Sequence, residues 1–260
     1  MYKGILTLLL LAGLLPTVQA ETAEEKGLAI IIESDNRDKG WQDSSAEMRM
    51  TLRNKKGKES IREIRIKNLE MDGDGDKGLT VFDQPRDVKG TAFLTYSHAL
   101  EADEQWIFLP ALKRVKRISS SNKSGPFMGS EFAYEDISSF EVEKYSYVYL
   151  RDEVLDSMDC FVLETTPLYK YSGYTKSTLW IDKAEYQIRK IDYFDRKKSL
   201  LKTQRFSDYK KYLNQYWRAL TMTMENKQNG KSTVLKFSNF KFKSGFTKKD
   251  FEKNDLKRQR

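Results

Sequence analysis

The chain has 260 residues, with 46 Lys and Arg against 38 Asp and Glu, a formal net charge of +8, one His and one Cys. A single cysteine forms no intrachain disulfide, and a single histidine builds neither the usual zinc site nor a set of paired nucleophiles and bases. The positive balance favours anionic partners such as lipid headgroups, and the chain carries no nucleic-acid motif to go with it.

Residues 1–20 read as a cleavable signal peptide. Lys3 supplies the positive start, Gly4 to Leu15 the apolar core, and Val18-Gln19-Ala20 the small-residue cleavage site. The expected mature chain, 21–260, keeps a net charge of +7 once Lys3 is lost, and no cysteine at the cleavage site offers a lipid anchor. No later stretch approaches the roughly 20 apolar residues of a spanning helix, so the expected product is periplasmic or secreted. About 240 mature residues fit one domain with a full core.

Residues 24–38 place Leu28, Ile31 and Ile32 on an approximate helical face and end in charges before Gly40, which predicts an N-terminal helix. From Ala46 the period changes to two: Met48, Met50 and Leu52 alternate with Glu47, Arg49, Thr51 and Arg53. After a turn at Asn54 to Lys58, a second strand carries Ile61, Ile64 and Ile66. Strands are then expected over 79–82, 91–96, 105–109, 145–150, 160–165, 177–181, 187–194, 202–209, 219–225 and 232–240, joined by turns such as Asn229-Gly230. About a dozen strands exceed what an open sheet holds before curling, roughly ten. The fold class predicted is mostly β (α+β), an antiparallel half-barrel with a few helices in its mouth.

The stretch from Trp106 to Asp136 mixes apolar, basic and small residues in an order that a simple core element does not need. Trp106, Phe108 and Leu109 make an apolar strand that Pro110 ends. Lys113, Arg114, Lys116 and Arg117 follow, spaced with Leu112, Val115 and Ile118 as a second strand or a helical turn would space them, and give a basic rim. After the polar run Ser119 to Gly125, Phe127 and Met128 stand between Pro126 and Gly129, as a lid or as a plug at the end of the core. Ser130 reads as the N-cap of a short helix through Phe132 and Tyr134.

Asp72, Asp74, Asp76 and Asp83 have calcium-loop spacing, but Lys77 holds the position that needs glycine and strands flank the run, so a turn is expected and no metal site. Cys160 reads as a buried, inert thiol and His98 as a turn residue. Tyr145, Tyr147 and Tyr149, and Tyr169, Tyr171 and Tyr174, read as cross-strand pairs or as the lining of an apolar cavity. No serine elbow or phosphate loop is present, and an enzyme is not expected.

Four segments carry a resemblance: FDQPRDVKGTAFLTY at 82–96, WIFLPALKRVKRISSS at 106–121, FMGSEFAYED at 127–136 and LWID at 179–182. Together they are similar to the LolA-like periplasmic lipoprotein-sorting family, in its branch of outer membrane lipoprotein-sorting proteins. The resemblance implies an open, incomplete barrel of about eleven antiparallel strands wrapped over helices, with a hydrophobic cavity for acyl chains and no cofactor. It also implies a link to RND-type inner-membrane transporters and transient membrane contact.

The expected function is a carrier of a lipid or of lipoprotein acyl chains. The alternative is a non-enzymatic lipid-sensing or docking subunit of a transporter. Phe93, Trp106, Phe108, Leu109, Phe127, Met128 and Phe132 are the expected wall and lid, and Lys113, Arg114, Lys116 and Arg117 the expected headgroup-facing rim.

Overall fold

The computed structural model describes residues 20–259; the signal peptide expectation for residues 1–20 lies almost entirely outside them. The elements in chain order are helix α1 (Ala23–Asp38), then strands β1 (Asp43–Arg53), β2 (Glu59–Leu69), β3 (Lys77–Gln84), β4 (Ala92–Tyr96), β5 (Glu104–Leu109) and β6 (Arg114–Ile118). After an insertion come β7 (Tyr145–Leu155), β8 (Met158–Pro167), β9 (Lys176–Asp182), β10 (Ile188–Phe194), β11 (Leu200–Tyr212), β12 (Tyr216–Asn226) and β13 (Ser232–Phe242). All thirteen strands form one antiparallel sheet in the order β6-β5-β4-β3-β2-β1-β13-β12-β11-β10-β9-β8-β7. The sheet is open, with β6 and β7 as free edges, and has two more strands than the eleven the resemblance implied. One is β6, for which the sequence left strand and helical turn equally open.

Strand alternation sorts the apolar residues onto two faces. The inner face carries Met48, Met50, Ile64, Phe82, Phe93, Ile107, Met224 and Leu235 in one cluster, and Leu163, Leu179 and Ile181 in another. The outer face carries Leu79, Val81, Ala92, Leu94 and Trp106.

Helix α1 covers the inner face of β7 to β10. Its start is fixed by a reciprocal cap: Thr22 accepts from Glu25 N, and the Glu25 carboxylate accepts from Thr22 N. The face it buries is Gly27, Ile30 and Ile31, whereas Leu28 and Ile32 stay exposed, against the expectation that Leu28, Ile31 and Ile32 face inward. The cause is Gly27. A Cβ there would sit 2.9 Å from Tyr149 N, so the helix backbone lies on β7 and turns its Gly27 stripe, not its Leu28 stripe, to the sheet.

The C-terminal segment is ordered and crosses the outer face. Short 3-10 turns at Lys248–Phe251 and Lys253–Arg258 bury Phe251 and Leu256 against Leu79, Val81, Leu94 and Trp106, and Tyr96 Oη donates to the Phe251 carbonyl at 2.5 Å.

Strict antiparallel pairing also sorts the connections into two rims. The turns 54–58, 85–91, 110–113, 168–175, 195–199 and 227–231 lie at one end of the strands. The turns 70–76, 97–103, 156–157, 183–187 and 213–215 lie at the other.

Candidate functional site

The inner face between α1 and β6 is not empty. The 26 residues 119–144, which join β6 to β7, turn back into the half-barrel and fill it. Phe127 lies at the centre, fully buried, with its ring 5.1 Å from that of Phe93, 6.0 Å from Phe82 and 5.5 Å edge-on from Tyr134. Phe132 is buried beside it, while Met128 and Ile137 pack partly buried on the same cluster. One short segment thus touches strands from β2 to β5 and from β11 to β13, which a flat sheet could not allow.

Polar contacts as well as aromatics anchor the segment. Lys202 on β11 reaches inward to Asp136 Oδ2 at 2.6 Å and to the Glu131 carbonyl at 3.0 Å, with both charged side chains about 5% exposed or less. Tyr174 Oη donates to Asp136 Oδ1 at 2.8 Å. Glu135 accepts from Tyr169 Oη, Ser172 Oγ and Gly173 N, all within 2.9 Å; burial and the neighbouring Asp136 charge still push its carboxyl above the ordinary value. Burial raises the Tyr145, Tyr169, Tyr174 and Tyr193 hydroxyls, Tyr145 to about 12, so these tyrosines act as neutral donors and packing surface. Arg62 donates to the Met128 carbonyl, and Gln105 Nε2 donates to the Tyr134 carbonyl at 2.9 Å. At the base, Lys123 and Lys144 both pair with Asp103. Burial works to raise that carboxyl, but the two ammoniums outweigh it and hold it below its ordinary value.

Ser130 does not cap a helix at this point. Its hydroxyl donates to the Phe127 carbonyl and accepts from Phe132 N, closing the turn around Met128, whose φ is +50°. The short helical turn starts later, at Tyr134–Ile137, where Asp136 accepts from Ala133 N.

Of the expected wall residues, Phe93, Leu109, Phe127, Met128 and Phe132 come together in this inner cluster. Trp106 and Phe108 do not. They pair with Leu94 and Ala92 on the outer face, under the C-terminal segment, because alternation along β5 sends Ile107 inward instead. The basic run also divides. Lys113 occupies the β5–β6 turn in a left-handed conformation, and Arg114, Lys116 and Arg117 lie exposed on the edge strand β6, where charge discourages strand addition. Arg117 pairs with Glu104 at 3.0 Å.

Beyond the insertion, Phe206, Leu220, Phe237 and Phe240 face inward and stay half-buried. A left-handed Asn239 (φ +53°) lets Phe237 and Phe240 share a face three residues apart, with rings 5.9 Å apart. This aromatic lane was not read from the sequence; the bulge that makes it breaks the period of two. A polar cleft of about 640 Å³ opens beside the insertion, with Lys202, Arg196, Lys197, Asn226 and Lys231 among its lining.

The acidic run does not converge. Asp74 accepts from His98 Nδ1 at 2.7 Å, and that bond, helped by backbone N–H groups, holds its carboxyl down at about 2. Asp76 faces Met71 N, and Asp83 pairs with Arg65. Among the described residues no group of three or more His, Cys, Asp or Glu is placed to hold a metal ion. Cys160 is buried, and burial raises its thiol.

A family model described only as an uncharacterised protein matches residues 74–258. No curated protein matches the chain. Among solved structures, a domain from Vibrio parahaemolyticus named for outer membrane lipoprotein sorting is 59% identical, with a TM-score of 0.89 over 90% of this chain and 99% of that one. A DUF1329 family protein from Desulfovibrio piger is 32% identical, with a TM-score of 0.86 over the same shares. A LolA superfamily protein from Nitrosomonas europaea, 22% identical with a TM-score of 0.71, covers 90% of this chain and 99% of its own, and shares the fold. With 59% and 32% identity over 90% of its length, the chain belongs to the family of the Vibrio domain named for outer membrane lipoprotein sorting and of the DUF1329 protein, and it shares its fold with the LolA superfamily protein.

Proposed function

We propose that this protein is a periplasmic, non-enzymatic carrier of a lipid or of the acyl chains of a lipoprotein, moving them between inner and outer membrane. The observation that carries the reading is that an irregular segment, not the sheet's own side chains, fills the interior, over a floor that includes Met48, Met50, Met222 and Met224. Methionine floors adapt to guests of varied shape. Displacing residues 119–144 uncovers an apolar trough continuous with the half-buried lane of Phe206, Leu220, Phe237 and Phe240. Phe93, Leu109, Phe127, Met128 and Phe132 then serve as wall and moving cover, and Lys113, Arg114 and Lys116 as headgroup contacts.

The energetics suffice without catalysis. Burying about 15 methylenes at about 0.8 kcal/mol each yields on the order of 12 kcal/mol before ordering costs. Displacing the insertion draws on that sum.

The complete burial of Phe127 favours a second reading, in which the interior stays filled and the protein is a sensing or docking subunit of an RND-type inner-membrane transporter. Mass spectrometry of protein purified gently from a native periplasm, under native conditions and after organic extraction, separates the two. The carrier reading expects a stoichiometric lipid adduct. A clean apo mass, with no uptake of added phospholipid, sinks it and leaves the docking role.

A further inference from the structure

The six turns at the rim nearest the tip of the insertion hold twelve Lys and Arg and two acidic residues, Asp87 and Asp195. The five turns at the opposite rim hold eight Asp and Glu, with Lys183 as their one Lys or Arg; the segments entering β1 and leaving β13 add Lys39 and Lys243. The positive rim alone therefore carries more net charge than the +8 of the whole chain. Among the described residues, only Lys227 of those twelve is in an ion pair, with Glu225. The rim also exposes Leu112 and Tyr171, at 49% and 43%.

Neither fold nor edge protection requires this. Hairpin turns accept any small or polar residue, and charge that guards a sheet belongs on edge strands, not turns. Lysines spread over six separate turns fall on one edge of the sheet only because the strands alternate direction, so their common feature is the sheet edge they share. Unpaired cations in a ring, with apolar tips among them, match an interface of anionic headgroups over acyl chains. The acidic rim at the far end adds orientation, since a negative surface attracts one end and repels the other.

We infer that the rim formed by turns 54–58, 85–91, 110–113, 168–175, 195–199 and 227–231 docks this protein end-on onto an anionic lipid bilayer. This stands apart from the carrier reading, because docking is read out with no cargo present. The cleft beside the insertion, lined by Lys197 and Lys231, faces the bilayer in that pose.

The test is flotation of the mature chain with vesicles of phosphatidylcholine alone and of a phosphatidylcholine–phosphatidylglycerol mixture, at low and high salt. Binding is expected to the mixture only, and to weaken as added salt shortens the Debye length. Lys55, Lys56, Lys197 and Lys231, all exposed, are changed together to Glu; a matched variant changes Lys236, Lys241, Lys248 and Lys249, which lie away from the rim. The rim variant is expected to lose more than about a hundredfold in partitioning, at unchanged melting temperature, and the matched variant to lose far less. No binding to the anionic vesicles, or equal loss in both variants, overturns the inference; the first outcome directs the rim to an acidic protein partner, the second reduces it to net charge.

Discussion

Removing the Lys202 ammonium while keeping its length, as in Lys202→Met, leaves Asp136 buried against Tyr174 without its cation. Breaking one side of such a pair costs about 3–5 kcal/mol, against far less for replacing both sides with well-packed apolar groups. In a chain of this size that is a fall of about 6–20 °C in melting temperature. Lys202→Met with Asp136→Leu is therefore expected to melt well above Lys202→Met alone, and calorimetry of both variants checks it. If the single change is silent, the pair does not anchor the insertion. Neither partner was visible as a pair in the sequence. They lie 66 residues apart, and Lys202 sits in a strand whose pattern gives an inward charge no advertisement.

At the scale of elements, the 70–76 turn meets the base of the insertion. Gly75 allows this contact, because a Cβ there would fall 2.6 Å from Glu141 Oε1. The contact brings Asp76 near Glu141. Burial raises both carboxyls, helped by like charge, Asp76 to about 6 and Glu141 to about 7. Between their unfolded values, near 4 to 4.5, and these folded values, the folded chain holds more protons than the unfolded one. Their contribution is thus fully present below about pH 4 and is lost as pH rises through about 6 and 7. Asp76→Asn with Glu141→Gln should flatten that part of the curve of melting temperature against pH; a slope unchanged from the parent chain would refute the assignment. Strand existence was legible for the reason that Met48 and Met50 alternate with charges. Strand facing was less so. Trp106 and Phe108 lie in a strand apolar on both sides, and the cover that decides their side, Phe251 and Leu256, arrives more than 140 residues later in the sequence. The helix at 131–134 was misplaced because Ser130 spends its hydroxyl on the Phe127 turn instead.

For the whole molecule, one unbroken sheet of thirteen strands, clasped inside by α1 and the insertion and outside by the C-terminal segment, gives no seam at which part of the chain could unfold alone. Far-UV circular dichroism and tryptophan fluorescence are expected to report one coincident thermal transition for residues 21–260. Two separated transitions would divide the chain into more than the single domain proposed. The insertion is continuous with both free edges, β6 and β7, so it never leaves the interior by more than its own slack. It is in effect a competitor tethered to its own receptor, present at a fixed local concentration however dilute the protein. On the carrier reading proposed above, an acyl chain entering there would meet only the fraction of molecules in which the competitor is out, and its measured affinity would be lowered by that fraction. Cutting the chain between residues 119 and 126 would free one end of the tether, so if the protein carries a lipid, the nicked form should hold it more tightly than the intact one.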